Sequence, residues 1–240
     1  MIPNCELVKV DGTQFLVFKG RDLISNHLKK ELYENDIHQL CLKLLINEDP
    51  GAVLDIGANL GTFCVPLAKK ITKHKYHAFE PQRIIYYQLC ANVFINSLGN
   101  VYTYEAGLSN QEADVELEVP DYTAETNIGA FSIDKEVREN EYECQTSGGK
   151  EKMILMTLDS VGFENVRLIK IDVEGHELEV LQSGIETIKR NNYPPIIFEA
   201  WTWKPWYQEK RTALFEYLKS HGYEIQQLGE NNLATHRKNK

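Results

Sequence analysis

The stretch Val53-Leu-Asp-Ile-Gly-Ala-Asn-Leu-Gly61 restricts this chain more than any other. Val53 to Ile56 reads as a short buried strand, Gly57 and Gly61 bracket a turn, and the apolar-periodic segment from about Phe63 reads as a helix. At such a junction backbone N–H groups point out of a helix N-terminus, and glycine lets a ligand approach the main chain without a Cβ in the way. Spacing selects the ligand. A dinucleotide fingerprint needs glycine at its first, third and sixth positions, but counting from Gly57 these hold Gly57, Asn59 and Thr62. What remains is Asp-x-Gly-x-Asn-x-Gly. Asp55 would repel a pyrophosphate and attract a cationic amino-acid end.

S-adenosylmethionine (SAM) is a ligand of that kind. Tyr76-His-Ala-Phe-Glu80 reads as a second strand ending in an acid, about 20 residues beyond the glycine turn, where such acids accept hydrogen bonds from ribose hydroxyls. The glycine turn alone is equally compatible with an ordinary tight turn. Asp55, Glu80 and the order of elements favour the cofactor site.

Strand and helix patterns alternate around this motif. Asp11-Gly12 between two β-prone runs predicts a hairpin. Helical material capped by Asp22 or Ser25 follows, with a break near Asn35, and Pro50-Gly51 stops it. A helix from about Gly61 to Thr72, another from about Pro81 to Ser97 with Pro81 in its first turn, and a strand over Val101 to Ala106 come next. Strands over Ala113 to Val119, Ala130 to Ile133 and Lys152 to Leu158 read as an antiparallel insertion, about 111–158, with a mobile loop around Ser147-Gly-Gly149. Core strands return at Val166 to Val173 and Pro195 to Glu199. A helix from about Gln208 to His221 precedes two closing strands, one of them reversed. The expectation is one α/β domain over 1–240, doubly wound on a mostly parallel seven-stranded sheet, with residues 1–50 as a hairpin and helical cap and 51–240 as the SAM-binding core.

A formal net charge of −9 lacks the basic stripe that phosphate contacts need, so nucleic acid is disfavoured and not expected as a partner. Cys5, Cys41, Cys64, Cys90 and Cys144 are scattered singly, which indicates neither a zinc site nor a disulfide framework and suits a reducing compartment. No leader pattern and no apolar run of membrane-spanning length is present, so the expectation is a soluble, cytoplasmic protein. Oligomeric state is left open.

With order and spacing assembled, the chain resembles the FkbM family of SAM-dependent methyltransferases. The likeness is carried by Val53 to Gly61, Phe79-Glu-Pro-Gln82, Thr157-Leu-Asp159, Leu168-Ile-Lys-Ile-Asp-Val-Glu-Gly-His-Glu177 and Phe198-Glu199, across roughly residues 35–236. It implies a class I, Rossmann-like methyltransferase fold and O-methylation of a hydroxyl, often on a sugar or a secondary metabolite. By position it places Asp55, Gly57, Ala58, Asn59 and Gly61 at the methionine end of SAM, Glu80 at the ribose and Ala106, Gly107 and Leu108 at the adenine.

Methyl transfer to a hydroxyl needs alignment and a route for the proton. Asp172, which also borders the SAM site, His176 and Glu199 are the catalytic candidates because they follow the fourth and fifth core strands. For His176 the alternative is a first-turn residue bonded to a nearby acid. Glu174 and Glu177 read as helix N-terminal acids. Asp172 and Glu199 are also oxygen ligands of the kind that hold Mg²⁺ or Mn²⁺, without an evident third ligand. Trp201, Trp203 and Trp206 suit either stacking on a sugar ring or core packing. The leading expectation is a glycan or glycosylated small-molecule acceptor. Polypeptide methylation and a catalytically inactive SAM-binding module are the competing ones, and a nicotinamide dehydrogenase is the poorest.

Overall fold

The computed structural model describes residues 3–20, 23–122, 128–140 and 146–239. The chain opens with the hairpin β1 (Cys5–Val10) and β2 (Thr13–Phe18), whose turn residues Asp11 and Gly12 both take positive φ. Then come α1 (Leu23–Leu28), α2 (Asn35–Leu45), β3 (Ala52–Ile56), α3 (Cys64–Lys70), β4 (Lys75–Phe79), α4 (Arg83–Ile95) and β5 (Val101–Tyr104). The middle of the chain supplies β6 (Gly107–Leu108), β7 (Ala113–Pro120), α5 (Lys135–Asn140), β8 (Thr146–Met156) and α6 (Leu158–Val161). The remainder is β9 (Val166–Ile171), α7 (Glu177–Gln182), α8 (Ile185–Arg190), β10 (Ile196–Glu199), α9 (Gln208–Ser220), β11 (Tyr223–Leu228) and β12 (Asn231–His236).

Seven strands form one sheet in the order β11-β12-β10-β9-β3-β4-β5, in which β12 runs antiparallel to both neighbours and the other pairings are parallel. Period-two alternation divides the core. Val53, Tyr76, Leu168 and Ile197 pack with the hairpin, α2 and α3, whereas Leu54, Ile56, Ile169 and Phe198 pack with α7, α8 and α9. Helices therefore cover both faces, as buried parallel strands require. From β3 the chain winds outward through β4 and β5, then returns to place β9 on the other side of β3. Such a reversal opens a crevice at the carboxyl ends of β3 and β9.

The insertion is a separate sheet in the order β6-β8-β7, with β7 and β8 antiparallel. Five local expectations are corrected. Ala130 to Ile133 is not a strand: a 3-10 turn over Ile128–Ala130 leads to Ser132, whose backbone oxygen and Oγ bond Arg138 and Asp134. Ser147 to Gly149 lies in β8 and not in a loop, because pairing from Pro120↔Thr146 onward gives the backbone a ladder. Pro81 precedes α4 by two positions because Gln82, in extended conformation, is its N-cap. Ser25 is buried inside α1 rather than capping it, while Asp22 lies outside the described residues, and α2 ends well before Pro50.

Candidate active site

A cleft of about 340 Å³ lies where the reversal predicts it, bounded by the ends of β3, β4, β9 and β10 and roofed by Leu23, Ile24 and Tyr33 of the N-terminal segment. Asp55, Gly57, Ala58, Asn59, Glu80, Ala106, Gly107, Leu108, Asp172 and Glu199 all line it. Gly61 and His176 are not among its walls.

The glycine turn is bonded internally. Gly57 and Ala58 both donate to the Phe79 carbonyl (3.1 and 2.8 Å), Asn59 N–H to Glu80 Oε2 (3.0 Å), Leu60 N–H to Asn59 Oδ1 (2.7 Å) and Gly61 N–H to the Ala58 carbonyl (2.9 Å). The turn thus offers none of these five N–H groups to a phosphate, which corrects the picture of donors turned toward a ligand. Its glycines serve close packing instead. Gly57 has φ +83°, and a Cβ there would collide with the Asp172 carbonyl; Gly61 has φ +91°, and a Cβ there would meet Val65 and Leu89.

Asp55 is 1% exposed, and its Oδ2 is buried without a hydrogen-bond partner. Burial raises its carboxyl to about 6, with Lys170 opposing the rise. An orphaned acceptor at the cleft wall fits the α-ammonium of SAM. Glu80 is also buried, and burial raises it to about 7 while the N–H groups of Gln82 and Asn59 hold it down. Each Glu80 oxygen accepts one backbone bond, so each retains a lone pair for a ribose hydroxyl. Ala106, Gly107 and Leu108 meet Phe79, Pro81 and Phe131 in an apolar corner suited to a purine.

Asp172, Glu174 and Glu199 each present an oxygen within 4.8 Å of the others, in the same cleft that Trp201, Trp203 and Lys204 line. Burial first, then mutual repulsion, pushes Glu174 and Glu199 well above the ordinary carboxylate range. Asp172 differs: its Oδ2 accepts from Lys170 Nζ at 2.8 Å. Although burial pulls the other way, Asp172 and Glu34 hold Lys170 well above the usual lysine value. Trp206 packs edge-on against Trp201 (5.9 Å) outside the cleft lining, so the three tryptophans divide between wall and packing.

His176 is set apart from the cleft. Its Nε2 meets Ser109 Oγ at 2.9 Å, and its Nδ1 faces Asp134 Oδ2 (3.6 Å) and Glu179 Oε2 (3.7 Å). Lys210 Nζ also binds Asp134, at 2.7 Å. The ring thus sits between Ser109, Asp134 of the insertion and the first turn of α7, with Nδ1 near the two acids but bonded to neither. Glu177 likewise has a local task. Its Oε1 accepts from Val173 and Gly175 N–H (3.3 and 3.1 Å) and its Oε2 from the Tyr207 hydroxyl (3.1 Å), which braces the turn carrying Asp172 and Glu174.

Two residues at the site escaped the reading of the chain. Lys170 had a signal, a lone charge in the apolar run of β9. Glu34 had none, because only folding carries it from the cap to Lys170.

The methyltransferase FkbM domain matches residues 55–225. Methyltransferase sdnD of Sordaria araneosa is 27% identical over 197 residues, 72% of this chain and 73% of that protein. Hexuronic acid methyltransferase AglP of Haloferax volcanii is 30% identical over 160 residues, 67% of this chain and 60% of that protein. Among solved structures, methyltransferase FkbM from Methylobacillus flagellatus superposes with a TM-score of 0.52 at 16% identity, covering 78% of this chain and 43% of that one. Precorrin-6y C5,15-methyltransferase from Geobacter metallireducens gives 0.50 at 15% identity over 86% and 91%. These likenesses show the class I methyltransferase fold. No helix among the described residues is long and apolar enough to cross a membrane. The domain match spans most of the sheet and the cleft at its carboxyl ends, and the chain belongs to the FkbM family of SAM-dependent methyltransferases.

Proposed function

We propose that this enzyme transfers a methyl group to a hydroxyl of a sugar, glycan or glycosylated small molecule. The observation that carries the reading is the unequal treatment of three carboxylates in a cleft that the exposed indole of Trp203 also lines. Asp172 is paired to a buried ammonium, whereas Glu174 and Glu199 are driven toward their neutral forms. A carboxylate oxygen left free beside one held by an ammonium accepts a proton, and a carboxyl that burial favours in its neutral form donates a hydrogen bond. Trp203, 53% exposed at the cleft wall, offers the flat apolar surface that a sugar ring stacks on, whereas Trp201 is buried with Lys204 Nζ 3.5 Å from the centre of its ring.

Asp55, Asn59, Glu80 and the Ala106 to Leu108 corner would hold SAM, which supplies an activated methyl on a sulfonium. Asp172 takes the proton as the acceptor oxygen bonds to that methyl carbon and the carbon–sulfur bond breaks, giving a methyl ether and S-adenosylhomocysteine. Neutral Glu199 donates a hydrogen bond to the acceptor. Alignment of this sort supplies up to about 7–11 kcal/mol of barrier reduction, so no covalent intermediate is needed. The sequence likeness to a hexuronic acid methyltransferase supports a carbohydrate acceptor.

A second reading places Mg²⁺ or Mn²⁺ on Asp172, Glu174 and Glu199, whose oxygens are close enough together to share a hard cation. One experiment tests both. Methyl-labelled SAM is incubated with extracted glycans and small metabolites, with and without EDTA. Label in the carbohydrate fraction is expected; label confined to polypeptide overturns the acceptor class, and loss of incorporation with EDTA selects the metal.

A further inference from the structure

The apolar strand β9 carries one ammonium, and it is sealed in. Only 3% of the Lys170 side chain is exposed. Its Nζ donates to Asp172 Oδ2 at 2.8 Å, lies 3.7 Å from Glu34 Oε2 and sits 5.8 Å from the centre of the Phe63 ring. Lys170 and Asp172 are two residues apart along an extended chain, so both side chains fall on the same side of the sheet. Glu34 arrives from the other end of the sequence. It precedes α2 in a left-handed conformation, φ +51°, and its Oε1 accepts from Asn231 Nδ2 at 2.6 Å. Cap, β9 and β12 are therefore joined at one buried charge.

This arrangement does more than neutralise. No other described residue hydrogen-bonds the Asp172 carboxylate, which lines the cleft with its side chain 29% exposed. A carboxylate gripped through one oxygen loses rotational freedom and presents the other in a fixed direction, and charge-assisted bonds of this length are the strong ones. The ammonium is in turn fixed by Glu34, whose own second oxygen is anchored by Asn231.

We propose that Lys170 is a positioning residue for methyl transfer: it holds one Asp172 oxygen so that the other stays aimed at the acceptor hydroxyl, with Glu34 of the N-terminal segment steadying the ammonium. This rests on Asp172 acting at the acceptor, as proposed above. It makes turnover depend on the N-terminal segment, which neither the glycine turn nor the cofactor contacts require.

The test compares initial rates of label transfer from saturating methyl-labelled SAM into the glycan and metabolite extract with calorimetric affinity for S-adenosylhomocysteine. Lys170→Met is expected to lower the rate by about a hundredfold, the scale of a misplaced reacting group, while affinity stays within about threefold. Lys170→Arg, which keeps the charge and a donor, recovers most of the rate, and Glu34→Gln loses about fivefold. Should Lys170→Met not fold, the double variant Lys170→Met, Glu34→Gln removes one charge of each sign and carries the same expectation. A Lys170→Met rate within about twofold of wild type overturns the proposal, as does a rate loss matched by an equal loss of affinity. Asp172→Asn separates the layers. If it keeps wild-type turnover, the role of Asp172 falls and that of Lys170 with it; if it is inactive while Lys170→Met is active, only the positioning role falls.

Discussion

Glu80 braces the turn that lies 21 residues before it: its Oε2 accepts the backbone N–H of Asn59 at 3.0 Å, while its Oε1 takes that of Gln82 at 2.8 Å. One buried carboxylate thus shapes the loop at the end of β3 and faces the place where a ribose would lie. Because burial raises Glu80 to about 7 and Asp55 to about 6, protonation of Glu80 and then of Asp55 grows as the pH falls from 7 toward 6, and a ligand must displace those protons. Hydroxyl donors and an ammonium favour the ionised forms, so binding releases protons and affinity falls as the pH drops from 7 toward 6. Calorimetry of S-adenosylhomocysteine at pH 6.5 in buffers of different ionisation enthalpy measures that release. Glu80→Ala should abolish most of it and weaken binding by about tenfold or more, the scale of a lost charged hydrogen bond.

Gly57 is irreplaceable on two counts, its φ of +83° and its contact with the Asp172 carbonyl. Gly57→Ala is expected to cost about 2–4 kcal/mol in urea unfolding, combining backbone strain with a clash that parts β3 from the end of β9. Affinity for S-adenosylhomocysteine should fall in parallel.

Glu177 was expected to act through the dipole of α7, yet it satisfies two N–H groups and a tyrosine hydroxyl. Burial raises it to about 7. Glu177→Ala strands all three partners in the core, which predicts a loss of about 2–4 kcal/mol on chemical denaturation. Tyr207→Phe removes a single bond and should cost about 1 kcal/mol.

His176→Ala separates the two readings of that residue. Bonded to Ser109 and facing Asp134 and Glu179, the ring joins the insertion to α7 rather than facing an acceptor. Expected are a stability loss of about 1–2 kcal/mol and methyl transfer well above that of Asp172→Asn at the same temperature. Turnover as low as that of Asp172→Asn, with the fold intact, would restore His176 to the chemistry.

Much of this protein follows from local pattern. Asp11-Gly12 specifies a hairpin because both residues tolerate positive φ, and the alternation of apolar strands with periodic helices dictates a sheet covered on both faces. The spacing of Asp55, Gly57 and Glu80 picks out residues that line one cleft for the same reason: strand ends and the turns after them have fixed lengths. Tertiary structure decided the rest. Whether a turn amide faces a ligand or a neighbouring carbonyl depends on how closely β3 and β4 approach, and here Phe79 and Glu80 take those amides. Glu34 reaches Lys170 only through packing of the cap, and only the fold sets His176 beside Asp134 of the insertion and outside the cleft lining. Sequence spacing along one strand or turn is set by bond geometry; partnership between segments is set by the core that brings them together.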